Sequence, residues 1–184
     1  MTLIADWNLR AALRLESQQN GIPLPMLEGM ALTESAGDWW AWKTEPHYRY
    51  LVDVRTGKPF RKLTTEEIKS EIAPPGFNTY PYSSRDTEWT GQQASWGPLQ
   101  IMGAVAREYG FAEPFPKLCS ATGVQYAVRH LIKLKNRFYE KHQWPGVVAA
   151  YNAGSPRIRN DGQFENQHYV DKVARHGEFD WGEL

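Results

Sequence analysis

One glutamate stands in an awkward place in the stretch ALTESAGDWW, residues 31–40. Leu27, Met30, Ala31 and Glu34 follow i, i+3, i+4, i+7 spacing, so on a helix they share one face. An ionised carboxylate is costly among apolar groups, and burial raises its pKa and keeps a proton on it near neutral pH. A general acid needs such a proton. The plain alternative is that Glu34, at its helix end, simply faces solvent. Other chemistries find less material. The histidines (His47, His130, His142, His168, His176) show no HExxH or similar metal spacing, and a serine nucleophile would need an elbow and a partnered histidine. Metal and cofactor are expected to be absent. Asp38, Glu45, Asp86 and Glu88 are the acids available for a second carboxylate role, but each reads as a solvated loop acid.

Three other stretches carry residues suited to holding a ligand. Gly97 lets backbone approach a flat molecule closely, and Gln100 offers both donor and acceptor to a sugar. Gln100 reads equally well as a buried amide that satisfies a helix end. Tyr151 shares a face with Val147 and Val148, which predicts an inward ring whose hydroxyl needs a partner. Glu165 and Tyr169, at i and i+4, fall on one face of a last helix. Ser35 reads as a local hydrogen-bonding cap.

The elements that must position these residues are mostly helical. A first helix is expected over 5–19, stopped by Gly21, and a second from Pro23 and Pro25 to about Ala36, with Gly37 as breaker. HYRYLVDVRTGKPF predicts two short strands about the turn Thr56-Gly57. Thr64 and Glu67 make a capping box for a short helix through about Ile72. APPGFNTYPYSSRDTEWTGQQAS reads as a long aromatic loop, one wall of a cleft or a segment tied down by its own rings. Helices follow over 98–109, over 120–141 from a Ser120 cap, from Pro145 to Gly154, and near 166–176. The fold class is mainly α (α+β), one domain over 1–184 with an insertion over 38–93.

Composition excludes several classes. Lys plus Arg and Asp plus Glu number 21 each, which argues against a nucleic-acid binder. Cys119 is the one cysteine, so no internal disulfide forms. No apolar run approaches the roughly 20 residues of a membrane span, and MTLIADWNLR is too short for a secretory signal. With 8 Trp, 9 Tyr and 7 Phe, the rings serve either a core or a stacking surface for sugars.

Read together, four strings resemble the lytic transglycosylases of the SLT type, relatives of goose-type lysozyme. They are Glu34-Ser35 at a helix end, Gly97-Pro98-Leu99-Gln100-Ile101, Ala150-Tyr151-Asn152-Ala153-Gly154, and Glu165 four residues before Tyr169-Val170. Pro98-Leu99 departs from the family's usual Leu-Met. The resemblance implies a lysozyme-like domain acting on peptidoglycan glycan strands. Glu34 would be the single acid/base, with the Tyr151 hydroxyl beside it. Ser35, Gly97, Leu99, Gln100, Ile101, Asn152, Glu165 and Tyr169 would line the sugar site. The implied reaction breaks the bond between N-acetylmuramic acid and N-acetylglucosamine and closes a 1,6-anhydro ring. A hydrolytic lysozyme with a second carboxylate is the alternative; a non-catalytic wall-binding or virion module is a further one. A monomer is expected, encoded by a phage or prophage, made in the cytoplasm and acting on the cell wall after release or within a virion.

Overall fold

The computed structural model describes residues 4, 6–45 and 48–184. Ala5, the expected start of the first helix, and His47, at the head of the expected hairpin, lie outside the described residues. In chain order the elements are α1 (Trp7–Asn20), α2 (Leu24–Ser35), β1 (Trp42–Thr44), β2 (Val52–Asp53), β3 (Lys58–Pro59), α3 (Thr65–Lys69), α4 (Arg85–Gln92), β4 (Ala94–Trp96), β5 (Ile101–Met102), α5 (Gly103–Glu108), α6 (Ala121–Ala153) and α7 (Gln167–Gly177). The class is therefore mainly α with a small β component. Among the described residues no helix is long and apolar enough to cross a membrane. The chain divides into two compact units, Met1–Trp39 with Ala127–Leu184, and Trp40–Tyr126.

In the first unit, α1 starts at Asp6, whose carboxylate accepts from the Leu9 N–H at 2.9 Å, and ends at Gly21 in the left-handed conformation. α2 is buried on more than one side, at Met26, Leu27, Gly29, Met30, Ala31 and Leu32, because α1 and α7 both pack on it. Its close approach to α7 depends on a missing side chain. A Cβ on Gly29 would lie 2.3 Å from the Val173 carbonyl oxygen. α7 answers with Tyr169, Val170 and Val173, all buried. The expected helices at 120–141 and from Pro145 form one run, α6, broken at Gln143, where φ is 50° and ψ −164°. Pro145 accounts for the break, since it donates no N–H and crowds the preceding turn.

In the second unit, β1, β4 and β5 form an antiparallel sheet in that order, pairing Trp42 with Trp96 and Ser95 with Met102. β2 and β3 make the expected hairpin, Val52 opposite Pro59. The Thr64–Glu67 capping box is present at α3.

Two expectations fail here. The segment 73–95 is no simple loop, because α4 forms within it, capped by Ser84 accepting from the Thr87 N–H at 3.0 Å. The helix escaped notice because its buried face carries Glu88 and Gln92 beside Trp89, so no apolar stripe marks it. Two of the segment's rings take the tied-down alternative. Trp89 and Phe77 cluster with Leu51, Leu63, Ala73 and Ala104. The helix expected over 98–109 starts only at Gly103, because Gly97 and Gln100 both take positive φ and turn the chain between β4 and β5.

Candidate active site

The last turn of α2 carries Glu34, half-buried, while its neighbours Leu27, Met30 and Ala31 on the same face are fully buried. The Tyr169 hydroxyl, from α7, donates to Glu34 Oε1 at 2.5 Å. Two features set that geometry: the Gly29 contact fixes how close the helices lie, and Thr33 Oγ1 stands 3.1 Å from His176 Nδ1 further along the pair. Burial pushes the Tyr169 phenol well above its usual range. The Glu34 charge, the hydrogen bond to it and the nearby Tyr151 push the same way. Tyr169 therefore remains a neutral donor across the physiological range, and Glu34 Oε1 is held as the acceptor.

The remaining assignments fall out unevenly. Tyr151 is half-buried near the end of α6, with its ring tilted at 55° against His130, centroids 5.7 Å apart. It is the smallest of the contributions that raise the Tyr169 pKa. Ser35 caps locally. Its Oγ donates to the Ala31 carbonyl at 3.1 Å and accepts from the Gly37 N–H at 3.1 Å. Asn152 is exposed and accepts from Asn166 Nδ2 at 2.9 Å. Asn166, buried and not anticipated, also donates to the Ala149 carbonyl at 3.0 Å and so ties α6 to the chain entering α7. Glu165 is not on α7, as its spacing from Tyr169 suggested. It lies in the preceding turn, exposed, 3.6 Å from Arg157. The helix starts later because the chain is first held by the Ile158–Phe164 bridge.

The second motif is a turn in the other unit, and its residues look inward. Leu99 and Ile101 are buried, each 2% exposed. Gly97 is required by its own backbone, since a Cβ there would lie 2.4 Å from the Leu118 carbonyl oxygen. Gln100, half-buried, is bonded within the turn and not at a helix end. Its Nε2 donates to the Gly97 and Ala41 carbonyls at 2.8 and 3.1 Å, and its Oε1 accepts from Ser95 Oγ at 2.8 Å. Those bonds hold a residue with φ of 49°, an uncommon conformation for a side chain of this size.

Of the acids read as solvated, Glu88 is corrected. Glu88 is fully buried and doubly bonded to Arg107, at 2.8 and 3.0 Å. Asp86 accepts from the Ala73 N–H at 2.8 Å, and Glu45 pairs with Lys43 at 2.9 Å. The sign of a core role for Glu88 was its i, i+4 spacing to Gln92, which donates to it at 2.9 Å. Among the described residues, no group of three or more His, Cys, Asp or Glu side chains comes together in a way that could hold a metal ion.

The cavity in the Trp40–Tyr126 unit, about 570 Å³, does not include Glu34 in its lining. Cavity and carboxylate thus do not coincide, and the hydrogen-bonded geometry at Glu34 is the better guide to chemistry. In comparisons with known proteins, no family model matches the chain. No curated protein and no solved structure matches it either.

Proposed function

We propose that the chain is a lytic transglycosylase of peptidoglycan, with Glu34 as its single acid/base. The observation that carries this reading is the Glu34–Tyr169 pair. One carboxylate, half withdrawn from water, has one oxygen fixed by a phenol that does not ionise at neutral pH.

In this scheme protonated Glu34 gives its proton to the glycosidic oxygen as the C1–O bond breaks. The substrate's own acetamido oxygen supports the positive centre. The carboxylate then takes the proton of the 6-hydroxyl as that oxygen closes on C1, which returns Glu34 to its protonated form. Tyr169 keeps Oε1 still while the proton comes and goes. The 6-hydroxyl is already part of the reacting sugar, so it has an effective concentration that water lacks. The partner is the glycan strand, reached after release from the cell or from within a virion.

Hydrolysis is the competing outcome, and it needs a second carboxylate about 5 to 9.5 Å from the first. Glu88 is poorly suited, because Arg107 neutralises it in the interior. Digestion of purified peptidoglycan in ¹⁸O-water separates the two. The expected products end in 1,6-anhydromuramic acid, lighter by one water and free of heavy oxygen. Reducing ends carrying ¹⁸O would overturn the transglycosylase and bring Asp38 and Glu45 forward as bases. Protein that leaves peptidoglycan uncut would overturn both.

A further inference from the structure

The Trp40–Tyr126 unit contains a cavity of about 570 Å³, within the range of about 300–1,000 Å³ usual for small-ligand sites. One wall is a pile of rings. Trp42 and Trp96 stack at 5.9 Å and 19°, and Trp96 and Phe115 at 5.7 Å and 12°. The pile ends in water, because Trp42 is 59% exposed. The lining also includes Asp86, Thr87 and Thr90 of α4, oxygen-bearing, at helical spacing and all exposed. The Asp86 carboxylate is pinned by the Ala73 N–H.

The charge balance narrows the ligand. Arg107 also borders the cavity, but its guanidinium spends its donors on Glu88, on the Phe111 and Glu113 carbonyls and on the Tyr82 hydroxyl. An anion would meet the Asp86 carboxylate and find no uncommitted guanidinium donor. A purely apolar guest would strip water from Asp86 and the threonines without replacing their hydrogen bonds, at a cost. A neutral ring with apolar C–H faces and a rim of hydroxyls meets both walls.

We propose that this cavity is a second, non-catalytic carbohydrate site, taking a neutral pyranose ring on Trp42 with its hydroxyls toward Asp86, Thr87 and Thr90. The choice of sugar rests on the peptidoglycan reading above. Its work is to hold the glycan irrespective of the chemistry at Glu34.

The test uses the full chain carrying Glu34→Gln, so that a bound oligomer stays whole, with ¹⁵N-labelled tryptophan. The N-acetylglucosamine tetramer is titrated while the indole N–H signals are followed by NMR. The signals of Trp42 and Trp96 should shift together and saturate. Trp42→Ala should weaken binding about tenfold, and Trp42→Phe, which keeps a flat ring, by much less. Thr90→Arg, at an exposed helix position, should block the mouth without disturbing the stack. The proposal is overturned if neither indole signal moves, or if N-acetyltryptophanamide moves both at lower concentration than the sugar. The two readings fail separately. Anhydro ends from native protein whose Trp42 signal ignores sugar would sink only the second site. Saturable Trp42 shifts in a protein that cuts no peptidoglycan would sink only the transglycosylase.

Discussion

In each unit a glutamate withdrawn from water accepts from a side chain of another helix, yet those donors differ in kind. Glu88 is fully buried and faces a guanidinium in a bidentate pair, with Gln92 as a third donor. Glu34 is half-buried and is bonded by a phenol. A bidentate Arg–carboxylate pair in the interior is strong in geometry and costly to break, and it keeps both charges in place. A neutral phenol supplies direction through a hydrogen bond that carries no charge of its own. The first arrangement suits a tie between α4 and α5; the second is the one that the proposed acid/base role requires. Burial alone therefore does not distinguish the two glutamates, and the kind of donor does.

The comparison is broken most severely by removing the proton carrier. Glu34→Gln keeps an oxygen that accepts from Tyr169, so the fold should survive while turnover falls about 10²- to 10⁴-fold, as for a lost general acid. Activity per folded molecule, with thermal unfolding as the control, measures this. Near-native turnover would show that Glu34 is only a structural acceptor. The mirror experiment is Arg107→Met. It strands Glu88 in the core and should cost about 3–5 kcal/mol, read by denaturant unfolding. A loss under about 1 kcal/mol would mean that water or Gln92 replaces the guanidinium.

Tyr169→Phe is gentler. It removes one hydrogen bond to a charged group, commonly worth about 1.5–3 kcal/mol, so a decrease in kcat of roughly 10- to 100-fold is expected if that bond serves the transition state. A second readout follows from the phenol's titration. Its folded pKa lies above the ordinary value of about 10, so above that pH the unfolded chain has lost a proton that the folded protein keeps. The stability that this group contributes is thus complete below about pH 10 and is lost as pH rises from there toward the folded pKa. Tyr169→Phe should flatten that alkaline loss. Equal slopes in the two proteins would mean that the buried phenol does not titrate with unfolding.

Much of the first unit could be read from its residues, since α1 and α2 are bounded by a capping aspartate, prolines and a glycine, and Glu34 interrupts an apolar face. What could not be read was that Tyr169 donates to it. That bond follows from the α2–α7 spacing set by Gly29, a tertiary fact with no local signature. The second unit was harder outside the β2–β3 hairpin and the capping box of α3. Its short strands give almost no periodicity, and α4 hides its inner face behind Glu88 and Gln92. Gln100 was readable as ligand-binding or structural, and only its partners decided the matter.

The smallest expected effect separates the two tyrosines. Tyr151 raises the Tyr169 pKa, which places its hydroxyl within electrostatic reach of the pair, whereas its ring rests against His130. Tyr151→Phe preserves that ring packing and removes only the hydroxyl. A neutral hydrogen bond is worth about 0.5–1.5 kcal/mol net, so turnover should fall by about two- to tenfold, less than for Tyr169→Phe, with little change in thermal stability. Removing a neighbour that pushes the Tyr169 pKa upward should also move the alkaline stability loss to slightly lower pH. The order of the two variants is the sharp point. If Tyr151→Phe costs more turnover than Tyr169→Phe, the phenol on α6 is the working partner of Glu34. The Tyr169 bond would then be a packing contact, much as the Glu88 pair is in the other unit.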